Sequence, residues 1–165
     1  MDNPGPREDA QGPPFVCPKR RALRQALAQA QVPDADVQVL FLYEVRPRGV
    51  YDRRAANSVC LPILEDQLRA SGPKVLLALG NTVVQAVMGP DASVREPRGR
   101  WQTFCGLPLL ASYHPLAVRR RPNLAPLLVQ DIAQARDRLE RLRDGTLANP
   151  PAKERSAARR APGAS

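Results

Sequence analysis

The chain has 165 residues, of which 43% are hydrophobic, and its 25 Lys and Arg residues outnumber 16 Asp and Glu residues to give a net charge of +9. That length fits one domain with a sizeable core. The lack of a long apolar run or of a signal-peptide pattern excludes a membrane protein and predicts a soluble, intracellular, cytoplasmic one. The charge favours a polyanionic partner, since each neutralised phosphate releases counterions, although arginine from a biased genome would give the same composition.

Apolar strands alternate with amphipathic helices along the chain. Pro18 suits the first turn of a helix, because its missing N–H would be unpaired there anyway. In chain order, the sequence predicts a helix from Pro18 that Pro33 closes, a strand from Val37 to Tyr43, a helix from Ser58 to Ala70, a strand from Lys74 to Leu79, a short helix ending at Gly89, a hairpin around Trp101 to Phe104, a strand from Leu107 to Tyr113 and a helix from Leu124 to Arg143. This order indicates the α/β class, as a three-layer α/β/α fold with a central, mainly parallel sheet.

The composition changes beyond Gly145 to Ala, Pro, Ser and Arg, with little to bury. We therefore predict one domain over residues 1–144 and a basic, disordered tail over residues 145–165. The tail either adds loose phosphate contacts or is a solvated end with no role.

Two of the predicted strands end in polar residues. One strand runs into Gly80-Asn81 and another into Tyr113-His114-Pro115. In parallel α/β sheets, ligands bind beyond the carboxyl ends of the strands. We therefore expect these two loops to line one shared cleft.

The cysteines do not form a metal-binding pattern. Cys17, Cys60 and Cys105 are widely spaced without a Cys-x-x-Cys, and His114 is the one histidine of the chain. This argues against a zinc site, and three thiolates fall short of the set that a cubane iron–sulfur cluster takes. We expect no metal and buried free thiols.

Three segments carry motifs in a fixed order. They are Asn3-Pro4-Gly5 with Gln11-Gly12 and Pro14-Phe15-Val16, then Cys60-Leu61-Pro62-Ile63-Leu64 leading into Leu77-Ala78-Leu79-Gly80, and then Arg98-Gly99-Arg100-Trp101 followed by Ser112-Tyr113-His114-Pro115-Leu116. Together they resemble the motifs of the uracil-DNA glycosylase superfamily and are most similar to its fourth, thermostable-type family. The resemblance covers roughly residues 1 to 143 and implies that superfamily's fold.

The resemblance also implies a set of catalytic residues. Breaking the glycosidic bond leaves negative charge on the base, and His114 matches the family's histidine that donates toward it. Asn3 falls where the superfamily holds its water-positioning residue, although an amide takes a proton poorly. Asp2 and Glu8 match the family's acids, and each could orient the water or simply cap a loop or helix. A lone histidine such as His114 is often just a structural residue.

Base-binding and DNA-binding roles follow from the same resemblance. Phe15 matches the aromatic that stacks on the extruded base, with a core aromatic as its alternative. Phe41 and Asn81 complete the implied base pocket, although Asn81 is also well placed to cap a helix. The residues matching DNA contacts are Arg98, Arg100, Arg119, Arg120 and Arg121 for phosphates, and Leu116 or Val118 for the wedge inserted into the duplex.

Four positions depart from the family pattern. Met1 occupies the opening glycine of the first motif, so either the start is misassigned or the sheet lacks a central strand. Val45 replaces a cluster-binding cysteine, so no iron–sulfur cluster is expected. Phe41 stands where an Asn should read the uracil edge, which predicts relaxed or absent uracil recognition. Leu116 replaces a Ser or Ala and is bulkier beside DNA.

These observations leave three hypotheses. The first is a monomeric, metal-free DNA glycosylase that removes uracil or another deaminated base in base excision repair, in the cytoplasm near the nucleoid. The second is a catalytically weak or inactive member that binds DNA without base excision. The third, a nucleotide-binding α/β protein, is weakened because no Gly-rich phosphate loop follows any strand.

Overall fold

The computed structural model describes residues 1–3, 18–44 and 51–147, and in the first helix it describes side chains from residue 21 onward. The helices of these segments are α1 (Pro18–Gln29), α2 (Arg53–Ser71), α3 (Asn81–Met88), α4 (Pro115–Arg120) and α5 (Ala125–Arg143). The strands are β1 (Leu76–Leu79), β2 (Gln102–Phe104) and β3 (Leu107–Ser112), and short 3-10 turns cover Asp34–Asp36 and Pro122–Leu124.

The described strands form a mixed sheet in the order β1-β3-β2. β1 pairs with β3 in parallel, with Leu76 opposite Leu109 and Leu79 opposite Ser112. β2 pairs with β3 antiparallel, through the predicted hairpin. The α/β class is thus confirmed. A mainly parallel sheet is not, because the described strands make one parallel and one antiparallel pairing.

Side chains of the strands alternate between two apolar clusters. On β1, Ala78 packs with Leu64 of α2 and Val84 of α3. Leu79 points the other way and packs with Leu23 of α1 and Leu128 of α5. Because successive residues of a strand face opposite sides of the sheet, the helices cover both faces in three layers.

Local signals explain the limits of α2. Asp52 precedes the helix, and its Oδ1 accepts hydrogen bonds from the backbone N–H of Arg54 at 2.8 Å and of Ala55 at 3.4 Å. Such a cap satisfies N–H groups that have no partner within the helix. Gly72 ends α2 with φ of 60°, a left-handed conformation that glycine adopts at little cost. The helix begins earlier than the predicted Ser58, because its first turn holds two exposed arginines and no large apolar side chain that would give a hydrophobic pattern.

The predicted strand from Val37 to Tyr43 is corrected by the structure. Its residues form no strand of the described sheet, and Leu42 and Tyr43 lie in a bend. Instead they pair with the first residues of the chain: the Met1 amine donates to Leu40 O, Leu42 N–H donates to Met1 O, and Tyr43 N–H donates to Asp2 O, each at 2.8 Å. Met1 thus donates to Leu40 and accepts from Leu42, which is the hydrogen-bond pattern of a parallel pair. Met1 and Asp2 are therefore held in place by this segment.

A cavity of about 520 Å³ lies beside this segment. Val37 and Val39 line it together with Leu76 and Leu77 of β1, and Ala135 of α5 lines it as well. β1 is an edge strand of the described sheet, so this edge faces an apolar space instead of another described strand. The pocket is partly open, and charged side chains such as Lys74 and Arg136 line it beside the apolar ones.

Candidate functional site

The carboxyl ends of β1 and β3 meet at one edge of the sheet. Leu79 and Ser112 are paired in the parallel register, and the next residue, Gly80, donates its N–H to Ser112 O at 2.9 Å. Tyr113 and His114 follow Ser112 directly. The structure therefore brings together the two loops that the sequence assigns to one cleft.

Gly80 lets the backbone approach His114 closely. Gly80 has φ of 95°, and a Cβ placed on it would lie 2.9 Å from Cβ of His114. Real Cβ atoms do not come that close, and side chains rarely adopt that φ. A glycine is needed here for both reasons.

The His114 backbone and side chain begin α4. Its carbonyl accepts from the N–H of Ala117 at 2.8 Å and of Val118 at 3.2 Å. Its Nδ1 accepts the N–H of Leu116 at 3.0 Å, as an N-cap side chain does. A nitrogen that accepts carries no proton, so the neutral imidazole holds its proton on Nε2.

The protonated nitrogen of His114 faces a carboxylate. Nε2 lies 3.1 Å from Oδ1 of Asp2, and both atoms are shielded from solvent. The distance is that of a close polar contact, although the contact lacks the alignment of a hydrogen bond. The two side chains are 13% and 32% exposed, so this donor and this carboxylate sit together at a partly open surface.

The remaining predicted catalytic and base-binding residues are placed unevenly. Asn3 follows Asp2 and is half-buried. Phe41 is partly buried and packs against the cluster that contains Met1 and Leu79. Glu8 and Phe15 lie outside the described residues, and their roles stay predictions.

Asn81 does not cap α3. The N-cap residue is Gly80, and no side chain caps this end. The Asn81 Oδ1 instead accepts the N–H of Val94 at 3.0 Å. This contact ties the start of α3 to the loop before β2, so the cap interpretation is wrong, while the base contact stays a prediction.

The predicted wedge residues differ in exposure. Leu116 is 36% exposed, whereas Val118 is 8% exposed and packs in the core. Of the two, Leu116 is the one whose side chain is accessible. Four predicted phosphate contacts are exposed as well: Arg100, Arg119, Arg120 and Arg121.

Arg98 is engaged inside the protein. Its Nε donates to Oδ2 of Asp131 at 2.9 Å, and Nη2 donates to Leu127 O and to Gln130 Oε1, each at 3.1 Å. Its side chain is 20% exposed. A contact of Arg98 with DNA stays a prediction, but these bonds give the guanidinium a partner on α5 that the motif did not suggest.

Asp131 is a residue that sequence reasoning missed. It is 1% exposed on α5, and its Oδ2 also accepts a hydrogen bond from Ser112 Oγ at 2.5 Å. Burial raises the pKa of the Asp131 carboxyl, and the hydrogen bond from Ser112 and the charge of Arg98 offset part of the rise. An acid inside the apolar stripe between Leu128 and Ile132 was the signal that could have revealed it.

The thiols and metal-binding side chains show no cluster in the part of the chain that the structure describes. No group of three or more His, Cys, Asp or Glu side chains there could hold a metal ion. Cys60 is half-buried and Cys105 is exposed, so the expectation of buried thiols is wrong for Cys105. Across the same residues, no helix has the length and apolarity needed to cross a bilayer.

Sequence comparison identifies the family of this fold and site. The sequence model of the uracil DNA glycosylase superfamily matches residues 2–139, a span that includes Asp2, Gly80 and His114. The chain belongs to the uracil DNA glycosylase superfamily. Its motif resemblance to this superfamily is thereby confirmed.

Two curated relatives place the chain near one branch of the uracil DNA glycosylase superfamily. It is 30% identical over 139 residues to the Type-4 uracil-DNA glycosylase of Pyrobaculum aerophilum, covering 79% of this chain and 71% of the relative. It is 26% identical over 144 residues to the Type-4 uracil-DNA glycosylase of Sulfurisphaera tokodaii, covering 81% of this chain and 66% of the relative. The predicted closeness to the type 4 branch is confirmed, and the chain spans just under two thirds of the second relative.

Proposed function

We propose that this chain is a DNA glycosylase that hydrolyses the N-glycosidic bond of uracil or another deaminated base in DNA, as a monomer acting in base excision repair inside the cell. The observation that carries the proposal is the His114 imidazole at the carboxyl edge of the sheet, with Nδ1 accepting from Leu116 N–H and Nε2 beside Asp2. Membership of the superfamily and the two type 4 relatives support a hydrolase that acts on DNA.

His114 supplies the donor that the departing base needs. Cleavage of the bond between base and sugar leaves negative charge on a base oxygen, and a donor preorganised toward that oxygen stabilises the transition state. The hydrogen bond from Leu116 N–H to Nδ1 fixes the proton on Nε2 before the substrate arrives. The bound base oxygen takes or shares the place beside Nε2 that Asp2 Oδ1 now has.

Asp2 and Asn3 provide the other half of the chemistry. The sugar gains positive charge as its bond to the base breaks, and a nearby carboxylate stabilises that charge. The same carboxylate is a better proton acceptor for the attacking water than an amide is. In this proposal Asp2 activates the water and Asn3 orients it, with Glu8 as a second acid.

The DNA is held by groups around this centre. Extrusion of a nucleotide requires a stacking partner and a filler for the gap, for which Phe15 and the exposed Leu116 are proposed. The exposed Arg119, Arg120 and Arg121 follow His114 on or beside α4. Such guanidinium groups bind phosphates and position the duplex without reading its sequence.

One observation favours the alternative of DNA binding without base excision. The Phe41 side chain packs against the apolar cluster of α1 and α5, and it stands where the family pattern has the amide that reads uracil. A site without that polar partner discriminates poorly among bases. The alternative therefore predicts a DNA-binding protein that forms no abasic sites.

A substrate panel separates the two. The full chain is incubated with single- and double-stranded oligonucleotides carrying one uracil, hypoxanthine or xanthine, and abasic sites are detected by alkaline cleavage. We expect cleavage of at least one substrate, lost in His114→Ala and reduced in Asn3→Ala. Asp66→Asn, an exposed surface change on α2, is the matched control. Salt-sensitive binding with no abasic sites on any substrate would favour the alternative.

A further inference from the structure

A buried polar cluster adjoins the strand end that carries His114. We name it the Asp131 network and define it as Ser112, Asp131 and Arg98. Asp131 Oδ2 accepts from Ser112 Oγ and from Arg98 Nε, and the residues flanking Asp131 on its helix face, Leu128 and Ile132, are buried.

A gain in stability is a weak explanation for this network. Removing a carboxylate from water is costly, and apolar side chains of similar volume often stabilise such a site as well or better. Asp131 Oδ1 is buried and accepts no hydrogen bond from any residue in the described segments. Buried polar groups of this kind are expected where a defined geometry is needed.

The Asp131 network includes Ser112 and contacts Tyr113, the two residues that precede His114. Ser112 is the last residue of β3, and it is fixed on two sides, by its Oγ bond to Asp131 and by its carbonyl bond to Gly80. The Arg98 guanidinium lies over the ring of Tyr113, 5.9 Å from the ring centroid. Movement of Asp131 or Arg98 therefore shifts the backbone from which the imidazole projects.

His114 has little space in which to absorb such a shift. Gly80 packs against it closely enough that a methyl group there would meet His114 Cβ at 2.9 Å. Its Nδ1 is engaged by Leu116 and its Nε2 faces Asp2. A displacement of the β3 end would thus break the alignment of Nδ1 with Leu116 N–H, which is the contact that fixes the tautomer.

We propose that Ser112, Asp131 and Arg98 are positioning residues that hold the His114 imidazole in its Nε2–H form and orientation from outside the site. This inference rests on the proposed function for its kinetic consequence but not for its structural one. Misplacement of a catalytic group by about 1 Å can cost on the order of a hundredfold in rate. Loss of the network should therefore lower kcat and leave KM nearly unchanged.

The single histidine of the chain gives a readout that needs no activity. Protein labelled with ¹⁵N-histidine yields signals from one imidazole, and at about pH 8, where an ordinary histidine is neutral, they report the tautomer. Wild type is compared with Ser112→Ala, which removes one hydroxyl, and with Asp131→Asn, which keeps the side-chain shape. Arg136→Lys is the matched control, because Arg136 links α5 to Ala30, the residue after α1, away from β3.

We expect the two nitrogen signals to move toward each other in Ser112→Ala and Asp131→Asn, as the tautomers mix, and to stay in place in Arg136→Lys. In the glycosylase assay, the first two variants should lose about tenfold or more in kcat, with KM within a factor of about two. Wild-type imidazole signals in both folded variants would overturn the inference. Absence of wild-type activity would overturn the proposed function instead, and the imidazole signals would still decide on the network.

Discussion

A methyl group on Gly80 would lie 2.9 Å from Cβ of His114, and Gly80 has φ of 95°. The end of β1 therefore sets how close the imidazole lies to the sheet. Gly80→Ala adds backbone strain and pushes His114 away, so we expect a loss of about 1–3 kcal/mol in the free energy of unfolding and a slower reaction per folded molecule.

Gly89→Ala is the control for this change. Gly89 has φ of 121°, but no atom lies within 4 Å of the position that an added methyl group would take, so the substitution strains the backbone without touching His114. Denaturant unfolding and single-turnover assays on both variants separate the effects. Equal rates for the two variants would refute a role for the close approach at Gly80.

Asp131 predicts a pH dependence of stability. Burial raises the pKa of its carboxyl above the ordinary value of 3.8, so the folded protein holds that proton more tightly than the unfolded chain does. The stabilisation from this proton is fully present below the pKa that the Asp131 carboxyl has in the unfolded chain. It is lost as the pH rises through the higher pKa that the carboxyl has in the folded protein. Wild type should therefore lose free energy of unfolding relative to Asp131→Asn as the pH rises from about 4.

Urea unfolding of both proteins across this pH range provides the measurement. The exposed Asp137→Asn change on the same helix is the control and should show no such trend. A difference between wild type and Asp131→Asn that stays flat, or that grows in favour of wild type with rising pH, would contradict the assignment.

The exposed arginines after His114 predict that the affinity for DNA falls as the salt concentration rises. We expect weaker DNA binding for each substitution that removes a phosphate contact, among Arg119→Gln, Arg120→Gln and Arg121→Gln. Each such loss should also lower the slope of log affinity against log salt concentration by about 1. Fluorescence anisotropy at several salt concentrations measures both. Arg141→Gln, near the far end of α5, serves as control, and an equal effect there would mean that net charge alone drives binding.

Because a cavity lies between Val39 and β1, we expect a larger apolar side chain that enters it to stabilise the protein. Ala135 lines this space, so Ala135→Leu should raise the free energy of unfolding by roughly 1 kcal/mol. Ala133 packs against the core cluster of α1 and α5 instead, and Ala133→Leu should destabilise by about 1–3 kcal/mol through overpacking. Thermal unfolding ranks the two variants, and the reverse order would show that the space collapses in solution.

The sequence predicted the elements and the strand-end loops because these follow from local patterns. Apolar runs before Gly80 and His114 mark buried strands, and parallel neighbours bring their carboxyl ends to one edge. The Val37 to Tyr43 run was predicted as a sheet strand for the same reason, but an apolar pattern does not specify which backbone will pair with it. In the structure that backbone is Met1 and Asp2.

The family resemblance places Asp2 and His114 in one catalytic set, but it does not give the contact between them. The 3.1 Å approach of Asp2 Oδ1 to His114 Nε2 depends on how the first residues lie along Leu40 to Tyr43, and no local pattern encodes it. An arginine in an Arg-Gly loop can pair either with a DNA phosphate or with a buried carboxylate of the protein. The sequence does not distinguish these partners, and the motif predicts a phosphate contact for Arg98. Only the fold shows that Asp131 is its partner.

The most direct test of the central claim is the single-turnover rate of base release by wild type and by His114→Gln, with enzyme in excess over a labelled oligonucleotide. We predict release of uracil or another deaminated base by wild type, and a rate about 10² to 10³ lower in His114→Gln at unchanged DNA affinity. Equal rates in the two proteins would contradict the role of the Nε2–H donor.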